Sequence, residues 1–232
     1  MLLAVAPMLA LRRSIDGDRQ PNASLGAGGA FSGLRLVLGS PRLAALAVVG
    51  WSYGILQFCL FTFFVTMLVT ELGWSLVAAG GVATIMQIGG VSGRIAWSAL
   101  ADRLSGRGVE ILGVIGVGSI AFTLVVVGAA SAWPAWLLGL IAFGLGFCLV
   151  GWNGLWLAEV ARAAKPDEVS LATGGVLVFT YAGVVLGPAA FSSMYKSIGS
   201  YATTYGLFSA FALIGLVALM WAKRRSVLGP DQ

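Results

Sequence analysis

An all-α, polytopic membrane helix bundle is the fold class this sequence predicts, and three observations predict it. The 232 residues are 59% hydrophobic and only 10% charged. A soluble domain typically carries about 25% charged residues, so most of this surface faces something other than water. Six apolar stretches are each long enough to cross a bilayer core, which takes about 20 helical residues. The 33 glycines fit the same medium, because glycine lets membrane helices approach closely.

The expected spans are residues 43–69, 75–100, 109–130, 135–158, 170–194 and 203–222. Residues 1–11 are also apolar, but too short to span, and they stop at Arg12 and Arg13. A signal peptide would place basic residues ahead of its apolar core, not behind it. An interfacial anchor is a second reading. The reading adopted is the tail of a membrane helix whose beginning lies outside the chain. Residues 12–42 change character, with five arginines, Pro21 and the glycines Gly26, Gly28 and Gly29. They read as a flexible linker leading into a short amphipathic piece at 31–38. Asn22-Ala23-Ser24 matches a glycosylation acceptor by chance, since the orientation below places it in the cytoplasm. The expected organisation is thus a helix tail (1–11), a cytoplasmic linker (12–42), a six-helix transmembrane domain (43–222) and a cytoplasmic tail (223–232).

Orientation follows from charge. With residues 12–42 inside, twelve of the fourteen basic residues lie in inside loops and tails. Arg94 lies within a span, and Lys196 alone falls outside. The inverted arrangement would violate the positive-inside rule almost completely. Trp74, Trp133 and Trp136 then mark the outer interface, and Trp97 and Trp221 the inner one. A multi-pass protein of the plasma membrane, a bacterial inner membrane in this reading, is expected, with its linker and C-terminus cytoplasmic.

Several function classes drop out. The net charge of +5 does not imply nucleic acid, because the basic residues form short clusters between apolar runs rather than one solvated face. A polybasic contact with anionic lipid at Lys223, Arg224 and Arg225 is the alternative to a topology role. Cys59 and Cys148 lie inside apolar runs, with no disulfide or metal spacing. The absence of histidine removes the commonest metal ligand and general base. Gly113, Gly116 and Gly118 superficially look like a nucleotide loop, but they lie in an apolar span with no adjoining strand. No nucleophile–base pair, carboxylate dyad or Walker lysine is present. The chain is not expected to be an enzyme or to hold a cofactor or metal.

Polar groups inside apolar spans are costly and therefore informative. Tyr53 and Gln57 share a helix face at i, i+4, and Gln87 and Arg94 share one at seven residues. Asn153 sits mid-span between glycines, and Tyr181 lies in the fifth span. All six are candidate substrate-binding residues, expected to aim at a common central cavity. For the amides, an interhelical hydrogen bond is the alternative. Arg94 lies eight residues before Asp102, roughly 12 Å up the helix. It needs a partner, for which Glu159 is the candidate, or an anionic ligand.

The stretch from Gly93 to Arg107 resembles the loop motif of the major facilitator superfamily, which joins the second and third helices of each six-helix half. Asp102, Arg103, Gly106 and Arg107 carry the match. Ser98 stands for the family's first glycine, Ser105 adds a residue, and Arg107 is the sole member of the final basic pair. The resemblance implies a cytoplasmic gate at this loop, with Glu159 and Arg162 beside it. Gly174, Gly183, Gly187 and Pro188 resemble the family's glycine-proline motif. Phe191 and Ser192 replace its following glycine pair, so antiport does not follow, and close helix packing around a kink is the preferred reading.

This resemblance spans nearly the whole chain. It implies an MFS-type six-helix half, and transport of a small solute by alternating access. A first-half register is favoured by the glycine-proline motif. The long basic linker and the broken leading helix favour the C-terminal half, which is the reading adopted. The expected partners are a small-molecule substrate, the lipid bilayer, and the missing six-helix half or a second copy. Arg94 and the scarcity of embedded carboxylates point to an organic anion. A non-transporting membrane subunit or assembly protein is the alternative.

Overall fold

A computed structural model describes residues 27–104, 106–128 and 133–228. The expected helix tail at 1–11 and the Asn22 acceptor lie outside them. The described residues form helices α1 (Ala27–Gly39), α2 (Pro41–Thr70), α3 (Leu76–Arg103), α4 (Gly108–Val127), α5 (Ala135–Leu149), α6 (Asn153–Ala163), α7 (Val169–Ile198) and α8 (Tyr201–Leu228). Six segments are long and apolar enough to cross a membrane, with α5 and α6 together making the fourth. They correspond one to one with the six expected spans.

Local chemistry sets the ends. Pro41 starts α2, where its missing N–H costs nothing, and the Ser40 hydroxyl accepts a hydrogen bond from the Leu43 amide at 3.4 Å. Ser75 caps α3 in the same way, accepting from the Ala78 amide at 3.2 Å. Gly199 ends α7 in the left-handed region (φ 76°), and its N–H donates to the Tyr195 carbonyl at 2.7 Å. The first turn of α8 is held by a side chain from another loop. The Glu71 carboxylate accepts from the backbone amides of Tyr201 and Ala202, placing a negative charge on the positive end of that helix. Within the expected linker, residues 27–39 form α1, which packs on α7 and fully buries Val37.

The helices form an arc. α2 packs against α7 and α8, α4 against α8 and α5, and α3 against α5. α3 and α7 lie at opposite ends and make no substantial contact. α6 sits at one end of the bundle and touches α2, α3, α4 and α7. That end carries Arg42, Asp102, Arg107, Arg162 and Lys223, and is called the basic end below.

Two kinds of contact hold the arc. The first is glycine against backbone. A Cβ at Gly89 or Gly93 would overlap the carbonyl oxygen of Phe143 or Phe147, and one at Gly146 would overlap that of Met86. α3 and α5 therefore touch main chain to main chain, as small residues allow in membranes. Gly183 and Gly187 pack likewise on Trp51 and Ile55 of α2, and α7 continues through Pro188. The glycine-proline motif thus acts in packing, although its Gly174 faces open space.

The second is a set of aromatic donors reaching across helices. The Tyr53 hydroxyl donates to Leu112 O at 3.0 Å, the Tyr205 hydroxyl to Cys59 O at 3.0 Å, and the Trp156 indole to Leu46 O at 2.8 Å. Buried phenols and indoles need such partners. Gly116 leaves room for the Tyr53 hydroxyl, which gives that glycine a packing role.

Gly146→Leu should cost about 1–3 kcal/mol, the range for overpacking a dense interior. Thermal denaturation in detergent would show it. Gly174→Leu, whose Cβ meets nothing within 4 Å, should stay within about 0.5 kcal/mol of the unmodified chain. Equal melting of the two variants would contradict glycine-mediated contact between α3 and α5.

Candidate functional site

The fourth span breaks between α5 and α6. The amides of Val150 and Gly151 both donate to Gly146 O, at 2.9 and 3.1 Å. A continuous α-helix would send the Gly151 amide to Phe147 O instead. The Phe147 carbonyl is thereby released, and the Trp97 indole of α3 fills it at 2.8 Å. Val150 O receives Arg94 Nε at 3.4 Å and Asn153 Nδ2 at 3.3 Å. Irregular backbone at membrane depth persists only where side chains or neighbours satisfy it. Arg94, Trp97 and Asn153 perform that service here.

The same amide of Asn153 also donates to Gln57 Oε1 at 3.2 Å, and the buried Trp152 indole donates to that oxygen at 3.1 Å. Arg94, Val150, Asn153 and Gln57 are therefore linked in one chain of hydrogen bonds across α3, α5–α6 and α2. The Gln57 NH₂ group makes no hydrogen bond among the described residues. The terminal nitrogens of Arg94 face no carboxylate within 4 Å among them.

Of the six candidate binding residues, the structure gathers Gln57, Arg94 and Asn153. It does not gather the other three. Tyr53 is fully buried and spends its hydroxyl on α4. It shares the Gln57 face by spacing, but it ties helices together instead of facing an opening. Gln87 and Tyr181 are exposed on α3 and α7. None of the principal cavities is lined by Gln57, Arg94 or Asn153. Of the three, Arg94 is exposed, Asn153 half-buried and Gln57 buried, so they form a linked polar group at the break rather than the lining of the expected common cavity.

Charge is concentrated at the basic end. The Glu159 carboxylate, 2% exposed, pairs with Arg162 at 2.5 Å and with Arg42 at 3.4 Å. Arg162 also reaches Asp102 at 3.7 Å. A Cβ at Gly108 would overlap Glu159 Oε1, so this carboxylate lies against the first residue of α4, where a helix favours negative charge. The expected Arg94–Glu159 pair does not form. Arg94 sits beside Val150, and Glu159 lies nine residues further along the span, about 13 Å at a helical rise. Glu159 instead holds the ends of α2, α3 and α6 together through arginines. Arg103 and Arg107 are exposed at the loop, and Gly106 turns the chain there with φ 82°. A second pair, Lys223 to Glu110 at 2.8 Å, joins α8 to α4 at the same end.

Sequence reasoning missed Arg42, Trp97 as a carbonyl donor, and the Glu71 cap. Arg42 read as the end of a linker, and no spacing rule connects it to a residue 117 positions away. The one available hint was Glu159 itself, a carboxylate inside a span that needs cationic company.

The fold and site define a polytopic helical membrane protein with a broken fourth span and a charge-tied loop between its second and third spans. The Major Facilitator Superfamily model matches residues 1–166, and the chain belongs to that superfamily, whose members are membrane transporters. Comparison with curated proteins gives no match.

Replacing Arg42 and Arg162 together by alanine leaves Glu159 buried and unpaired. This should lower unfolding free energy by about 2–3 kcal/mol, below the 3–5 of fully buried pairs because both arginines are about half exposed. Adding Glu159→Gln should recover part of the loss. Chemical denaturation in detergent measures both. No loss, or no recovery, would contradict the pairing.

Proposed function

We propose that this chain is one six-helix half of a secondary transporter that moves a small organic anion by alternating access. The observation that carries this reading is the set of unfilled donors beside the broken span. Arg94 offers charged N–H groups, and Gln57 offers an amide NH₂. Both are donors, and both are anchored through Val150 and Asn153. A carboxylate would complete them with charge-assisted hydrogen bonds. Broken helices near the bilayer midplane serve this purpose in other transporter folds.

An arginine and a glutamine exposed on α3 at membrane depth are unfavourable against lipid. The face therefore calls for a cover, supplied by a second six-helix half or a second copy of the chain. On this reading the six spans correspond to the C-terminal half. The basic end is cytoplasmic by the positive-inside rule, and the membrane is the plasma membrane, in bacteria the inner one. The Glu159–Arg162–Asp102 cluster at that end acts as the gate. It holds α2, α3 and α6 together when closed, and its arginines exchange partners when the halves rock.

The test is reconstitution of the purified chain in liposomes, with oligomeric state measured and a panel of small carboxylates offered. A monomer should catalyse no saturable uptake. Carboxylates should raise the melting temperature of the chain, and Arg94→Gln should abolish that rise while lowering the ligand-free melting point only modestly, since Asn153 still bonds Val150 O. Saturable uptake by a monomer would refute the half-transporter reading. An equal carboxylate response in Arg94→Gln would refute the site. A chain that binds no solute but co-purifies with another membrane protein would favour the subunit or assembly role.

A further inference from the structure

A groove of about 640 Å³ runs between α4 and α8. Its walls are Val109, Val114, Val117, Leu216, Leu219 and Met220, and its rim carries Glu110 and Lys223. None of the candidate site residues Gln57, Arg94 and Asn153 lines it. The groove is deep because Gly113 contributes no side chain. A Cβ there would meet only Leu216 Cδ2, at 3.9 Å. From Val109 to Val117 the apolar wall extends roughly 12 Å along α4.

At the rim, this groove joins a second one of about 430 Å³ beside Trp97, Leu104 and Arg107, with which it shares Glu110, Val114 and Lys223. The rim falls in the first turn of α4 and near the end of the α8 span, which is headgroup depth. Lys223 is held there by its 2.8 Å pair with Glu110 and remains 60% exposed. Arg107 and Arg224 are exposed beside it. Three cations against one carboxylate leave a net charge of +2 at the mouth of an apolar groove.

We propose that this groove binds an anionic phospholipid, with one acyl chain between α4 and α8 and the phosphate at Arg107 and Lys223. Charge decides the occupant. A second copy docking by two-fold symmetry would bring the same positive rim against itself, whereas basic groups at headgroup depth attract anionic lipid. The cations at the end of α8, which sequence alone leaves between a topology role and a lipid contact, thus acquire a groove to serve. The assignment does not depend on any transport activity.

The test is native mass spectrometry of the full chain, titrated in detergent with phosphatidylglycerol or phosphatidylcholine of the same acyl composition. The unmodified chain should retain phosphatidylglycerol by roughly tenfold over phosphatidylcholine. Arg107→Gln with Lys223→Gln should bring the two lipids to parity, and Arg107→Lys with Lys223→Arg should keep the preference. Gly113→Leu, which fills the groove where space is open, should lose both lipids with its melting temperature unchanged. No preference in the unmodified chain would overturn the proposal, as would a preference that survives the glutamine pair. A dimer without bound lipid that Gly113→Leu disperses would assign the groove to a second copy and overturn it equally.

Discussion

The buried carboxylate of Glu159 constrains the basic end of this protein more than any other group. A carboxylate with 2% exposure is strongly unfavourable without partners. Its partners come from separate places in the chain, namely Arg42 at the start of α2, Arg162 one turn along α6, and the first residue of α4. Asp102, the acid of the loop motif, joins through Arg162 and not through a helix end. Four helix ends are thus fixed by one charge. Both arginines stay half exposed, so the cluster holds without being sealed.

The second constraint is the exchange of backbone hydrogen bonds at the break in the fourth span. Two amides converge on Gly146 O, and the carbonyls left over draw in Trp97 and Arg94 from α3. That exchange is possible because Gly89, Gly93 and Gly146 bring the α3 and α5 backbones into contact. Packing and polarity are thus coupled. The glycines that let the helices meet also bring the side chains of α3 within reach of the broken backbone. The break and the charge cluster are linked through α6, which begins at Asn153 in the polar face and carries Glu159 and Arg162 at its other end.

Much of this was legible in the sequence. Hydropathy alone placed six spans, because each must offer about 20 apolar residues to the bilayer. Ser40-Pro41 and Ser75 marked helix starts through ordinary capping chemistry. The loop motif placed Asp102 and Arg103 at a helix end. What sequence could not supply was pairing. Arg94 and Glu159 were natural partners by charge, and only the helical rise between Val150 and Glu159 separates them. Tyr53 and Gln57 share a face at i, i+4, yet Tyr53 spends its hydroxyl on α4 while only the Gln57 carbonyl oxygen is engaged, by Trp152 and Asn153. Spacing along one helix says which residues share a stripe, but not which neighbour covers it. The break at Val150–Trp152 was equally hidden, since the fourth span shows no proline there, and Gly151, Asn153 and Gly154 fit helix packing as readily as a break.

Glu159 ties the ends of α2, α3 and α6 into one cluster through Arg42, Arg162 and Asp102. The most direct measurement is the distance distribution between spin labels at positions 103 and 165, taken on the full chain in lipid nanodiscs. Both positions are exposed and outside the cluster. The distribution should be narrow in the otherwise unmodified chain, and broader and longer when Glu159→Gln is added. Identical distributions with and without that substitution would contradict it.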